Sequence, residues 1–182
     1  LEADFPYRLT GSESPLTDEG WYSNAAVRSH VGQDIYIAGD VNEALIQPTF
    51  HFLQAVNFGL FGLSLATLRL PGTLMFCTLV AVSLALLRAE SDTLTAATAC
   101  LLLATDFHLF AYSRIALVEL PAMLFVLAAA LPLCAGGTSS ARWPGPAAGL
   151  LLAVGFLTKP TAAFAAPSLL LLARGRPKGV LA

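Results

Sequence analysis

The sequence predicts an all-α fold: a polytopic transmembrane helical bundle with juxtamembrane helices at one end. Three observations carry this. Only 12% of residues are charged against 56% hydrophobic, with a mean hydropathy of +0.69, and a soluble domain carries about twice that charge. The acids are segregated, since eight of the twelve fall in residues 1–48 while residues 69–182 are rich in Leu and Ala. The apolar runs are also long enough for helices that cross a bilayer. The same features exclude other classes. A net charge of −2 offers no basic face for nucleic acid. Cys77, Cys100 and Cys134 lie inside apolar runs without CxxC spacing, so each reads as a small buried residue.

Residues 1–17, "LEADFPYRLTGSESPLT", are loop-like, with Pro and Gly/Ser punctuation. A short helix is expected after Thr17, a competent N-cap, because Asp18 and Glu19 suit the positive end of a helix dipole. Gly32 is its natural stop. A second helix opens at Pro48 and runs over "TFHFLQAVNFGLFG". Its His51, Gln54 and Asn57 recur every three residues as a narrow polar stripe, a pattern that suits a helix at the membrane interface.

Spans are expected at 70–87, 93–111 and 115–135, the second interrupted late by Asp106 and His108. In the segment 146–173, Lys159-Pro160 argues for two shorter helices, 146–158 and 161–173. Proline disfavours helix in the residue before it, and a lysine at mid-bilayer is costly. The domain division is thus 1–68, an extracytoplasmic loop with juxtamembrane helices, and 69–182, about four crossings. The chain starts at Leu and ends on "RGRPKGVLA", and is expected to be a fragment lacking a first transmembrane helix and a C-terminal half. Basic residues divide evenly between the two faces, so the terminal cluster Arg174, Arg176 and Lys178 decides the orientation and leaves the acidic segment extracytoplasmic.

On this topology Asp18, Glu19, the stripe around His51, Tyr112 to Arg114 with Glu119, and Lys159 converge on one surface. A carboxylate there could deprotonate an acceptor or hold a divalent cation, and Arg or Lys could bind a lipid phosphate. Each has a bland alternative. Asp18-Glu19 serves equally as a helix start, Arg114 as a snorkelling residue, and Glu119 as its partner or that of Lys159. His51 and His108 serve as packing residues, because no second metal ligand stands at a suitable spacing.

The ordered motifs "LTDEGWYSNAAVRSHVGQDIY", "QPTFHFLQAVNFGLFGLSLATLRLPG", "AYSRIALVELPAMLF" and "GLLLAVGFLTKPTAAFAAP" resemble a group of bacterial membrane glycosyltransferases. These are related to protein O-mannosyltransferases and lipid A aminoarabinose transferases, the GT-C, glycosyltransferase family 39-like group. The resemblance implies a sugar moved from a polyprenyl-phosphate-linked donor to a protein, lipid or glycan acceptor, on the extracytoplasmic side of a bacterial inner membrane. It makes Asp18, Glu19 and Glu119 the catalytic carboxylates, with Asp18 as base or metal-associated group. Arg114, Lys159, Tyr22 and His51 become the substrate- and phosphate-binding set. It implies no certain metal site, although a divalent cation is compatible with it. Gln47 stands where many relatives carry a lysine before proline, so a phosphate role for that lysine must pass to another group. The rival expectation, a non-catalytic transporter or assembly subunit, would place ionisable groups at mid-bilayer within repeated halves. Here they group at one surface and no repeat is visible.

Overall fold

A computed structural model describes residues 17–39, 42–135 and 144–174, all helix and connecting loop with no strand among the described residues. Helix α1 spans Thr17–His30, close to the predicted limits, and Gly32 follows it at φ 74°, the left-handed conformation that suits a helix stop. A single turn, α2 (Glu43–Ile46), leads into α3 (Pro48–Phe61), with Pro48 at its first position. Helix α4 (Leu65–Arg88) starts on a capping box. The Ser64 hydroxyl accepts from the Thr67 N–H at 3.1 Å, and the Thr67 hydroxyl accepts from the Ser64 N–H at 2.9 Å.

Helix α4 is the one described helix whose length and composition suffice to cross a membrane alone. Helices α5 (Thr93–Thr105) and α6 (Phe107–Ser113) would do so only as a pair bent by 63°. The break falls at Asp106, whose carboxylate leaves α5 and caps α6 by accepting from the Leu109 N–H at 2.9 Å. Helices α7 (Glu119–Ala135) and α8 (Pro144–Thr158) are apolar but shorter; the 17 residues of α7 rise only about 26 Å at 1.5 Å per residue. The chain does break at Lys159: a 3-10 turn (Pro160–Ala165) follows, then α9 (Ala166–Ala173).

Helix α7 is the centre of the bundle, packing mainly on α8 and α4. Its Ala129 and Ala130 meet Ala148, small residues that let helix backbones approach, with Leu169 in the same cluster, while Leu120 and Leu124 pack on Leu79 of α4. Two expectations need correction. Cys77 is exposed on the outer face of α4 and Cys134 is only half-buried, although Cys100 is buried as expected. The third predicted span starts at Glu119 and not at 115. Residues 114–118 are held off helical geometry by contacts from elsewhere, described below.

The polar stripe of α3 faces inward. His51, Gln54 and Asn57 are buried, while Phe52, Val56, Leu60 and Phe61 are exposed. In water that arrangement would be inverted; against lipid, polar groups must find partners inside the protein. Pro71 in the interior of α4 supplies one for Asn57. Lacking an N–H, it leaves the Thr67 carbonyl without its helical donor, and the Asn57 amide donates to that carbonyl. The Gln54 Nε2 donates to the next carbonyl, Leu68, at 2.9 Å.

Candidate functional site

The polar residues gather at one end of the bundle, where α1 and α3 meet the start of α4, the α6–α7 connection and the end of α8. They form two centres.

The first is closed. Glu19, 4% exposed, receives a two-pronged ion pair from Arg69, 3% exposed: Nε to Oε1 at 2.9 Å and Nη2 to Oε2 at 2.9 Å. Its Oε1 also accepts the backbone N–H of Ala116 at 2.9 Å. Nearby, the Thr73 hydroxyl donates to the Ser113 carbonyl at 2.9 Å. Gly72 lets α4 approach so closely that a Cβ there would stand 2.9 Å from the Ile115 carbonyl oxygen. Beside them Phe50, Ala116 and Val118 form an apolar cluster against which Tyr22 and Leu68 pack. These contacts hold residues 113–118 against α4, so α7 cannot begin before Glu119.

The second centre is open. The Lys159 ammonium donates to Glu119 Oε1 at 2.5 Å, with the two side chains 26% and 29% exposed. Glu119 Oε2 has no protein partner. The pair stands beside a cavity of about 400 Å³, walled by Ala122, Met123, Val126 and Leu127 of α7 and by Thr161, Ala162 and Ala165 of the 3-10 turn. A charged pair at the edge of an apolar cavity can accept an amphiphile with an anionic head.

Of the predicted residues, Glu119 and Lys159 are brought together. Glu19 is placed on the same 114–118 connection but spends both oxygens on Arg69 and Ala116. Arg114 lies over the Phe110 ring, 5.6 Å from its centroid. Tyr22 is half-buried beside Trp21, with ring centroids 5.2 Å apart. His51 is buried in α3, where desolvation pushes its imidazole down to about 4, opposed in part by the Glu43 backbone carbonyl. The Asp18 backbone belongs to α1, but its side chain lies outside the described residues, as do Arg142, Trp143, Arg176 and Lys178. Among the described residues no three or more His, Cys, Asp or Glu side chains are grouped to hold a metal ion.

Arg69 is the residue sequence reasoning missed. The signal was an arginine inside an apolar helix, which by cost alone marks a functional or structural site with a buried partner. Its partner could not be read locally, because Glu19 is 50 residues away.

Residues 46–179 match the model of a protein family described as dolichyl-phosphate-mannose-protein mannosyltransferase. No curated protein and no solved structure matches the chain. The matched range takes in Arg69, Glu119 and Lys159, and α1 lies N-terminal to it.

Proposed function

This chain belongs to the dolichyl-phosphate-mannose-protein mannosyltransferase family, membrane glycosyltransferases of the GT-C type, and from that premise we propose what it transfers and how. The donor is a sugar on a polyprenyl phosphate, and the acceptor is a hydroxyl or amine on the extracytoplasmic side of a bacterial inner membrane. About four crossings after residue 68 set Asp18 and Lys159 on that side.

The observation that carries this reading is the Glu119–Lys159 pair at the edge of the apolar cavity. A donor phosphate fits against the Lys159 ammonium, and its isoprenoid chain fits along Ala122, Met123 and Val126. In the reaction the acceptor oxygen or nitrogen forms a bond to the sugar's anomeric carbon. The bond from that carbon to the phosphate oxygen breaks, and its electron pair leaves on the phosphate. The acceptor's proton passes to the carboxylate of Asp18. Negative charge grows on the phosphate only as the bond breaks, so Lys159, or Arg114 five residues before Glu119, lowers the barrier by meeting that charge. Glu119 aims Lys159 through its Oε1. Glu19 acts through Arg69: it fixes α1, and therefore Asp18, against the connection that leads into Glu119.

Transfer from polyprenyl-phosphate-mannose by the full-length chain in proteoliposomes tests this. Lys159→Gln is expected to reduce transfer at least about 100-fold, the order seen when one donor to a developing oxyanion is lost, and to raise the donor KM. Asp18→Asn is expected to abolish transfer and leave the melting temperature nearly unchanged. Wild-type rates in both variants would reject the assignment.

A further inference from the structure

A second crevice lies on the opposite flank of α1 from Glu19. Trp21, Asn24 and Ala25 form one wall, Ile35 and Ile37 another, and Glu43 closes it. Asn42 fixes the shape of the loop: its Oδ1 accepts the Ile37 N–H at 2.7 Å and its Nδ2 donates to the Ile37 carbonyl at 2.9 Å. The crevice holds only about 20 Å³, room for one water or one hydroxyl group. Two features of its lining are unusual. Glu43 is 5% exposed, yet its Oε2 has no partner in the protein, and an unpaired buried carboxylate oxygen is costly to leave so. Trp21, at the rim, leaves 44% of its surface to the outside.

An exposed indole next to a carboxylate and a primary amide is the chemistry that recognises a pyranose. The flat C–H face of such a ring covers an aromatic face, and a ring hydroxyl both donates to a carboxylate and accepts from an amide. A whole ring is far too large for the crevice, but a ring lying over Trp21 can place one hydroxyl inside it. We propose that Trp21, Asn24 and Glu43 form a carbohydrate subsite, with the ring stacked on Trp21 and one hydroxyl lodged between Asn24 and Glu43. Its use in transfer rests on the function proposed above; its ability to bind a sugar does not.

The ring can come from the donor or from a glycan acceptor, and the experiment separates the two. Saturation-transfer NMR on the full-length chain in nanodiscs, with methyl α-mannopyranoside as probe, is expected to show saturable binding with a Kd on the order of 1 mM. Glu43→Gln is expected to weaken it about tenfold, the effect of one charge-assisted hydrogen bond. Trp21→Ala is expected to abolish it and Trp21→Phe to retain part of it. Asn24 is exposed, so Asn24→Ala keeps the fold and should also weaken binding. No saturable signal, or equal signals in wild type, Trp21→Ala and Asn24→Ala, overturns the subsite. In transfer assays with Trp21→Phe, a raised donor KM identifies the donor sugar and a raised KM for a glycan acceptor identifies the acceptor. Unchanged KM values for both, with transfer intact, overturn the use of the subsite in transfer and leave the proposed transfer standing; the binding arm alone decides the subsite itself.

Discussion

Glu19 and Glu119 are both carboxylates paired to a cation at the same end of one bundle, yet their surroundings make them opposites. Glu19 and Arg69 are almost fully buried and joined at two points, and Glu19 Oε1 also takes a backbone N–H, so both of its oxygens are engaged. Glu119 and Lys159 meet at one point, keep about a quarter of their surface open, and leave one carboxylate oxygen unused beside a cavity. The guanidinium suits the first because its planar fork matches a carboxylate, and the flexible ammonium suits the second because it can turn to a new anion. A saturated pair can position other groups but has nothing left to offer a substrate. An unsaturated pair is weak structurally and available chemically.

The largest test of this contrast removes one partner of the closed pair. Arg69→Met strands a buried carboxylate and is expected to cost about 3–5 kcal/mol, read as loss of folded yield or of denaturant midpoint in nanodiscs. Arg69→Lys should recover only part, since a point charge cannot replace the fork. An Arg69→Met protein that melts like wild type would show the pair to be no more closed than the other.

A pH titration comes next. The His51 imidazole is held near 4 in the folded chain and titrates near 6.5 when unfolded. Between these values the unfolded state binds the extra proton, so stability should fall as pH drops from about 6.5 to about 4 and level off below. The loss is on the order of 3 kcal/mol. Glu43, raised by desolvation, works the other way, losing its contribution as pH rises through its folded value. His51→Gln should flatten the acid limb of the melting-temperature profile; an unchanged profile would remove His51 as its source.

Gly72→Ala is smaller. Its Cβ would press on the Ile115 carbonyl within the closed centre, at an expected cost of about 1–3 kcal/mol. Gly149→Ala in α8, with nothing within 4 Å, should instead be neutral or stabilising. Equal melting shifts for the two would show that α4 does not need its close approach.

The smallest expected effect on stability belongs to the open pair. Lys159→Gln should shift stability by less than about 1 kcal/mol, as for a partly exposed ion pair, even as transfer collapses. A melting loss as large as that of Arg69→Met would erase the distinction between the centres.

What the sequence made legible follows the same line. Breaks with a local cause were readable: Gly32 ends α1, Pro48 opens α3, Asp106 interrupts the second span and Pro160 ends α8. The stripe of His51, Gln54 and Asn57 was visible as a period, but a period does not say whether its face turns in or out. That depends on Pro71 in another helix freeing the Thr67 carbonyl. The open pair was readable because Glu119 and Lys159 each sit at a helix end beside a conspicuous proline. The closed pair was not, since nothing near Glu19 or Arg69 names the other. The start of α7 was misplaced for the same reason: residues 115–118 have helical composition and are withheld from helix by α1 and α4.

The hydrogen bond from Ala116 to Glu19 spans 97 residues, and that span is also an interval of time. A ribosome adding about 5–20 residues per second needs roughly 5–20 s to make it. Arg69 is made about halfway through that interval, so Glu19 can meet its cation before the Ala116 N–H exists. The Ala116 N–H is thus the last part of the closed centre to be made, and the centre is complete only once the chain has passed α6.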